Sequence, residues 1–362
     1  MTTISVSNWT DLSAQDLASW RAWQAGSPAL ASPFLSPGFA QAVDRVRGDL
    51  AFAVQRDSAG AAQAILPFHP GYLGSISPLA GPMSDWHGVL AADPDATDLK
   101  AMVTRLGASV LRLENGHSPT RGAPGTVEFS HLMDLSGGYS AYEARGQARE
   151  AGAFSRLAGR GRKLARNHKV TFDLDDRSPE ALDWLIANKR RQCLATGQFD
   201  VFSVGWTRAL LHELFGVATP ELRGRLSTLR IDGDLAAAHF GIQGAGVLHY
   251  WFPVYDEAHG ACSPGLILLQ AMARNLADEG VTAIDLGKGD YRYKREFGDI
   301  QRPVYRHAVW GDSVSGALWR SMDGLESGWA ALPLGQVAQL PGKVARRADR
   351  QLNFYLGDLR AA

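Results

Sequence analysis

Between Arg225 and Leu286 the hydrophobic pattern changes period in a readable order. RLSTLRI (225–231) alternates with a period of two, Asp232-Gly233 is a hairpin dipeptide, and LAAAHFGI (235–242) is a second alternating run. After the turn QGAG, VLHYWFPV (247–254) is rich in aromatic and β-branched residues and predicts a third strand of an antiparallel meander. A polar loop from Asp256 to Cys262 leads to Ser263, an expected N-cap, with Pro264 at the first helical position. Leu266, Leu269, Met272, Ala273 and Leu276 then keep an apolar helical face that Gly280 ends. VTAIDL (281–286) reads as a buried strand, and GKGDYRYKREFGD as a charged, aromatic loop.

A weaker copy of this grammar occupies the first half. AFAVQR and AAQAILPFH flank the turn DSAG, a helical stretch covers 97–107, and LRLEN reads as a strand. Two halves of related grammar suggest duplication, although no residue-level repeat is visible. Between them a basic helix is expected over 139–169. Its 145–169 part carries Arg145, Arg149, Arg156, Arg160, Arg162, Lys163, Arg166 and Lys169 against the acid Glu150. Such a run reads as a solvated face or as a surface for an anionic partner. Ser178-Pro179 opens another helix, with Leu182, Leu185 and Ile186 on one side. These breaks divide the chain into 1–135, 136–310 and a tail at 311–362.

Composition narrows the class. Of 362 residues 45% are hydrophobic and 20% charged, values of a folded globular chain rather than a disordered one. Lys+Arg and Asp+Glu are both 37, so any basic function is local. Cys193 and Cys262 alone cannot build a disulfide framework or a zinc cluster, and no metal site is expected. The N-terminus has neither a basic nor an apolar leader segment, so cytoplasm is the expectation. The uncharged stretch beginning at Leu235 contains His239, Gln243, His249 and Pro253 and fits two strands better than a membrane helix.

GxSxG, GxxxxGK and HExxH motifs do not occur, and Gly287-Lys288-Gly289 lacks the third glycine of a dinucleotide fingerprint. At SPGLILLQAMARNLADEGVTAIDLGKGDYRYKREFGD (263–299) the chain resembles the GNAT-fold acyltransferases of the CelD-like group, relatives of the Fem-type peptidoglycan transferases. The basic helix, SPEALDWLIANKRRQ and LAGPMSDWHG (79–88) extend the resemblance over about 300 residues. It implies an α+β fold of tandem GNAT-like domains, each a mixed, mostly antiparallel sheet flanked by helices. It also implies acyl transfer from acetyl-CoA or another acyl-CoA to an amine, in the setting of exopolysaccharide biosynthesis. One departure stands out: where the usual pyrophosphate loop has Arg or Gln and closely spaced glycines, this chain has Glu257-Ala-His-Gly260-Ala-Cys262.

Direct acyl transfer needs an oriented neutral amine, a proton acceptor and donors for the oxyanion. Asp290 is a candidate to orient or deprotonate the amine, Lys294 to stabilise the oxyanion or hold an anionic acceptor group, and Tyr293 to protonate the leaving thiolate. Ser263, Gly265 and Leu266 would offer backbone N–H groups to the donor's phosphates. Asp85, His87, His239 and Lys288 are candidate acceptor-binding residues. His239 and His249, on neighbouring strands, read as core histidines or bases, and Asp285 as the residue that holds the following loop. The expected acceptor is an amino sugar of a capsule, exopolysaccharide or holdfast-like polymer. The tail, with SGWAALPLGQVAQLPG followed by Lys343, Arg346, Arg347 and Arg350, reads as a helical appendage or as a peripheral contact at the inner face of the membrane. Two rivals remain: a Fem-type transferase whose basic helix contacts aminoacyl-tRNA, and a non-catalytic GNAT-shaped sensor of a cyclic dinucleotide.

Overall fold

The computed structural model describes residues 3–119, 125–321, 352, 354, 355, 357 and 358. The first half gives β1 (Thr3–Ser7), α1 (Ala14–Gly26), α2 (Pro37–Arg47), β2 (Ala51–Arg56), β3 (Ala62–Pro70), β4 (Ile76–Pro78), β5 (Leu90–Ala91), α3 (Leu99–Arg105), β6 (Val110–Gly116) and β7 (Gly125–Asp134). The second gives α4 (Gly138–Asn167), β8 (Val170–Asp173), α5 (Pro179–Thr196), α6 (Gly205–Gly216), β9 (Arg223–Ile231), β10 (Asp234–Gly244) and β11 (Val247–Tyr255). It ends with α7 (Pro264–Asp278), β12 (Ala283–Lys288), α8 (Arg292–Phe297) and β13 (Ile300–Trp310).

The meander forms as its alternation dictates. Asp232 and Gly233 both take positive φ (53° and 100°), the geometry that lets a two-residue turn follow the strands' right-handed twist. All thirteen strands among the described residues join one sheet, ordered β1-β2-β3-β4-β6-β13-β7-β12-β11-β10-β9-β8 with β5 on β3. The parallel pairs among them are β4/β6 and β11/β12; the rest are antiparallel. The α+β class with a mixed, mostly antiparallel sheet between helices is therefore borne out. The sheet crosses position 135 without a break. β13, from beyond that point, lies between β6 and β7, pairing Tyr305 to Trp310 with Gly116 to Val110 and Ile300 to His307 with Leu132 to Gly125.

Burial also joins the halves. Trp20, Phe34, Phe39, Phe52 and Trp86 share one core with Leu182, Phe202, Trp206 and Phe240. At about 1.5–3 kcal/mol per fully buried large side chain, this shared core contributes heavily to holding the halves together. A second core under α4 and α7 gathers Tyr142, Phe154, Leu248, Leu268, Met272 and Phe297.

The structure adjusts three local expectations. The basic helix is broken at Glu150 (φ −135°, ψ 45°), where the chain folds Phe154 onto Gly146 so closely that a Cβ there would lie 2.1 Å from the ring. The loop after β12 contains the one-and-a-half-turn α8, because Lys294 and Phe297 turn inward to the core. Ser263 does not cap α7 with its side chain: it sits in the left-handed region (φ 58°), and its Oγ accepts from Arg160 instead, at 2.6 Å.

Of the tail, residues 314–321 are helical. Phe354 is buried against Trp206, ring centroids 5.4 Å apart, and Asp358 accepts the Trp206 backbone N–H at 2.9 Å. The apolar stretch 327–342 and the basic Lys343 to Arg350 lie outside the described residues.

Candidate active site

β11 and β12 pair in parallel only from Val247–Ala283 to His249–Asp285. Beyond that point β11 stays with β10 as far as Tyr255, while β12 leans to β7, pairing Lys288 with Ser130. The wedge between them opens into a cleft of about 510 Å³. The first turn of α7 forms one end, Lys189 and Gln192 of α5 one wall, and Asp85, Gly287 and Lys294 the other end.

Where the strands part sits a buried polar cluster. Asp285, 1% exposed, accepts from Trp86 Nε1 at 2.8 Å and from the Gly287 N–H at 2.9 Å, and also from the Ser130 hydroxyl. His249, equally buried, places Nε2 2.7 Å from Asp85 Oδ2 and Nδ1 3.5 Å from Asp285 Oδ2. Phe34 abuts the imidazole edge-on at 4.8 Å, and the Arg302 guanidinium lies 3.9 Å over Trp86. Gly287 has φ +76°, and a Cβ there would stand 3.5 Å from Lys294 Nζ and 3.9 Å from Asp85 Oδ2 and His249 Cε1. The left-handed φ, and not a lack of space, is what favours glycine where these three groups converge.

Electrostatics follow from this packing. Burial disfavours a charged His249, but the flanking carboxylates of Asp285 and Asp85 more than offset it and raise its pKa to about 9. Burial opposes ionisation of Asp85 and Asp285 as well, yet His249 holds both below the usual carboxylate range. At neutral pH the cluster is an imidazolium between two carboxylates. Lys294 donates to the Lys288 carbonyl at 2.6 Å, and burial lowers its pKa to about 8 despite Asp85 and Asp285. Burial also lowers Lys189, whose Nζ is 3.0 Å from Gln192 Oε1, and raises Tyr293, which keeps its phenol protonated.

The candidate residues separate accordingly. Lys294, Tyr293, Asp85, Lys288, Ser263, Gly265 and Leu266 all line the cleft. Of the three backbone donors expected at α7, Ser263 N–H bonds the Gly260 carbonyl and Leu266 N–H the Ser263 carbonyl, each at 3.1 Å. The tight turn before the helix consumes both, and Gly265 lines the cleft. Asp290 stands outside: its side chain is 82% exposed and paired with Arg295. His87 lines a separate cavity, with Nε2 on the Gly81 carbonyl. His239 is a core residue, stacked 4.3 Å from Tyr250 and accepting the Trp251 N–H at 3.2 Å; burial keeps it neutral. Lys288 bonds Glu128 at 2.9 Å and the Glu114 carbonyl at 3.1 Å.

Sequence reasoning did not single out Lys189, Ser130, Trp86 or Arg302 and left His249 undecided. The available signals were the tryptophan inside SDWHG and the close spacing of Asp285 and Gly287. The described residues contain no group of three or more His, Cys, Asp or Glu placed to hold a metal ion. None of their helices is long and apolar enough to cross a membrane.

Residues 152–295 match the family model described as an acetyltransferase (GNAT) domain. The span runs from within α4 to α8 and includes α7, Lys294 and every cleft-lining residue named above except Asp85; the match supports an acyltransferase. Among curated proteins no match is found. Among solved structures, FemX matches with TM-score 0.54 and 8% identity, covering 88% of this chain and 99% of its own. A conserved protein of unknown function from Bacteroides thetaiotaomicron matches at 0.53 and 12%, covering 85% and 100%. The C-terminal domain of a putative lysylphosphatidylglycerol synthetase from Agrobacterium fabrum gives 0.49 and 15%, covering 79% and 97%. The first two share the fold over most of the chain.

Proposed function

We propose that this acyltransferase takes its acyl group from a coenzyme A thioester, acetyl-CoA in the simplest case, and passes it to the amine of an amino sugar in an exopolysaccharide or its precursor. The observation that carries the reading is the wedge between β11 and β12, with an uncapped helix start at one end and a lysine of lowered pKa at the other. Gly265 N–H, the positive end of the α7 dipole and Arg160 beside Ser263 fit the phosphates of such a donor. Bound there, the donor supplies an activated acyl carbonyl.

The chain's own groups then divide the work. Asp85, kept ionised and oriented by His249, holds the incoming ammonium. The neutral fraction of Lys294, which grows as pH rises toward its pKa of about 8, accepts its proton, so the amine nitrogen can bond the acyl carbon as the carbon–sulfur bond breaks. Tyr293, protonated at any physiological pH, gives its proton to the leaving thiolate and regains one from the nitrogen of the new amide, which sheds its second proton. Asp285 positions His249 and Gly287 without touching the reactants.

The test is calorimetric titration with acetyl-CoA and desulfo-CoA, coupled to thiol release in the presence of glucosamine and its oligomers. Lys294→Met should lower kcat about 100-fold or more while leaving the donor Kd within about threefold. Undiminished turnover in that variant removes Lys294 as the base. A donor site that takes aminoacyl-tRNA and ignores acetyl-CoA replaces the thioester.

A further inference from the structure

The cleft between β11 and β12 holds one cation that the acyl-transfer steps leave unused. Lys189 lines it from α5, with Nζ 3.0 Å from Gln192 Oε1 and 3.4 Å from the Pro253 carbonyl. The other charged side chains of the lining have counter-charges within reach. Lys288 pairs with Glu128 at 2.9 Å and Asp85 with His249 at 2.7 Å, while Asp85 and Asp285 both act on Lys294. No carboxylate among the described residues pairs with Lys189. Asp200, just past α5, is committed to Arg190 at 2.9 Å, and burial raises the Cys193 thiol one turn on and keeps it neutral. Burial accordingly lowers the Lys189 pKa with no carboxylate to oppose it.

An ammonium withdrawn from water without a counter-charge is costly, and an incoming anion relieves that cost. Such an anion also receives charge-assisted hydrogen bonds from Nζ. Gln192 adds a neutral donor, because its Oε1 accepts from the lysine and its Nε2 remains to donate.

The sheet separates this cation from the donor. Leu182 and Leu185 of α5 pack in the core that holds Ala238 and Phe240, whereas Leu268 and Met272 of α7 pack in the core that holds Ala237. Successive residues of β10 point to opposite faces, so α5 and α7 cover opposite sides of the sheet. Phe34 and Trp86, which touch His249 and Asp285, belong to the α5 side. The groups assigned to the acceptor amine thus share a side with Lys189, and the α7 start assigned to the donor's phosphates lies on the other.

We propose that the α5 wall binds a phosphate or carboxylate group of the acceptor through Lys189 Nζ and Gln192 Nε2, so that the acceptor is an acidic amino sugar rather than a neutral one. That the anion belongs to the acceptor rests on the acyl-transfer reading; the preference of this wall for an anion does not. The experiment uses the full chain, with glucosamine, glucosamine-6-phosphate and glucosaminuronic acid as probes in ligand-observed NMR. Desulfo-CoA in calorimetry reports the donor end separately.

At least one acidic probe should bind about tenfold or more tightly than glucosamine, and which one does so identifies the anion as phosphate or carboxylate. Lys189→Met should abolish the preference, and Lys189→Arg should keep most of it. Neither variant should change desulfo-CoA affinity or the circular-dichroism spectrum. Glucosamine binding as tightly as both acidic probes, or a preference that survives Lys189→Met, would overturn the proposal. So would a tenfold loss of desulfo-CoA affinity in Lys189→Met, which would give the ammonium to the donor. If desulfo-CoA fails to bind the unaltered chain while the acidic preference is present and is lost in Lys189→Met, acyl transfer falls and the anion site stands.

Discussion

The two halves of the chain each send a helix into a strand that pairs in parallel with an earlier one, yet the two junctions differ in how far the strands part and in what stands at the helix start. In the first half α3 leads to β6, which meets β4 at the single pair Ile76–Leu111. The space beside that junction is partly packed by Leu79, Ala80, Met83 and Trp86, all 5% exposed or less. The start of α3 is occupied as well: Asp98 Oδ1 accepts the Ala101 N–H at 2.9 Å, placing a carboxylate where an anionic ligand would otherwise go. In the second half α7 has no side-chain cap, and β11 and β12 separate over an open cleft. The same succession of elements serves as scaffold or as site according to what fills the wedge and who occupies the helix's first turn.

The strongest way to break this contrast is to remove the anchor of the open wedge. Asp285→Ala strands the buried imidazolium with one remaining carboxylate and should cost about 3–5 kcal/mol in denaturant unfolding. Asp98→Ala in the first half should cost only about 1 kcal/mol and spare turnover. Equal losses in the two variants would show that the cluster is not specially dependent on its buried carboxylate.

Acidity probes the same cluster without mutation. His249 has a folded pKa of about 9 against about 6.5 in an unfolded chain, so its stabilisation is fully present below about pH 6.5 and is lost as pH rises through about 9. Asp85 and Asp285, lowered on folding, contribute above about pH 4 and lose that contribution in acid. Lys294 works in the opposite sense to His249: its lowered pKa penalises folding below about 8 and stops doing so toward about 10.5. Unfolding free energies measured from pH 4 to 10 should fall between about pH 6.5 and 8 as the His249 contribution is lost, and recover above about 9 as the Lys294 penalty lifts; Asp285→Ala should flatten that fall. A wild-type profile without that decline would remove the imidazolium.

Smaller effects sharpen the picture at the helix start and the lip. Gly265→Asp puts a negative charge in the first turn of α7 and should weaken acetyl-CoA binding about tenfold in calorimetry. Asp290→Ala removes an exposed carboxylate bound to Arg295 and should change kcat/KM less than twofold. A large loss there would move the proton transfer to the lip of the cleft.

Much of the second half was legible because its signals are local. The alternation of 225–254, the dipeptide Asp232-Gly233 and the Pro264 helix start each specify their own neighbourhood, and each element formed within a few residues of expectation. β7 and β13 carry no comparable signal. Ile300–Trp310 mixes charged residues with Pro303, and its partners β6 and β7 are chosen by register across more than 165 residues, which no local period encodes. The site divides the same way. Lys294 and Asp85 were visible as chemistry beside glycine-rich turns. Their alliance with His249 was not, because it needs the first half's SDWHG segment to cross onto β11, and a histidine inside a hydrophobic strand reads equally well as core.

The position of β13 also sets a timetable. β6 and β7 emerge from the ribosome early, but the strand that separates and pairs them is complete only at Trp310, well over a hundred residues later. At about 5–20 residues per second, the nascent first half waits on the order of ten seconds or more with both edges unsatisfied. Its sheet cannot mature as an autonomous domain during synthesis, and a chain interrupted before residue 300 would present those edges to one another and to its neighbours.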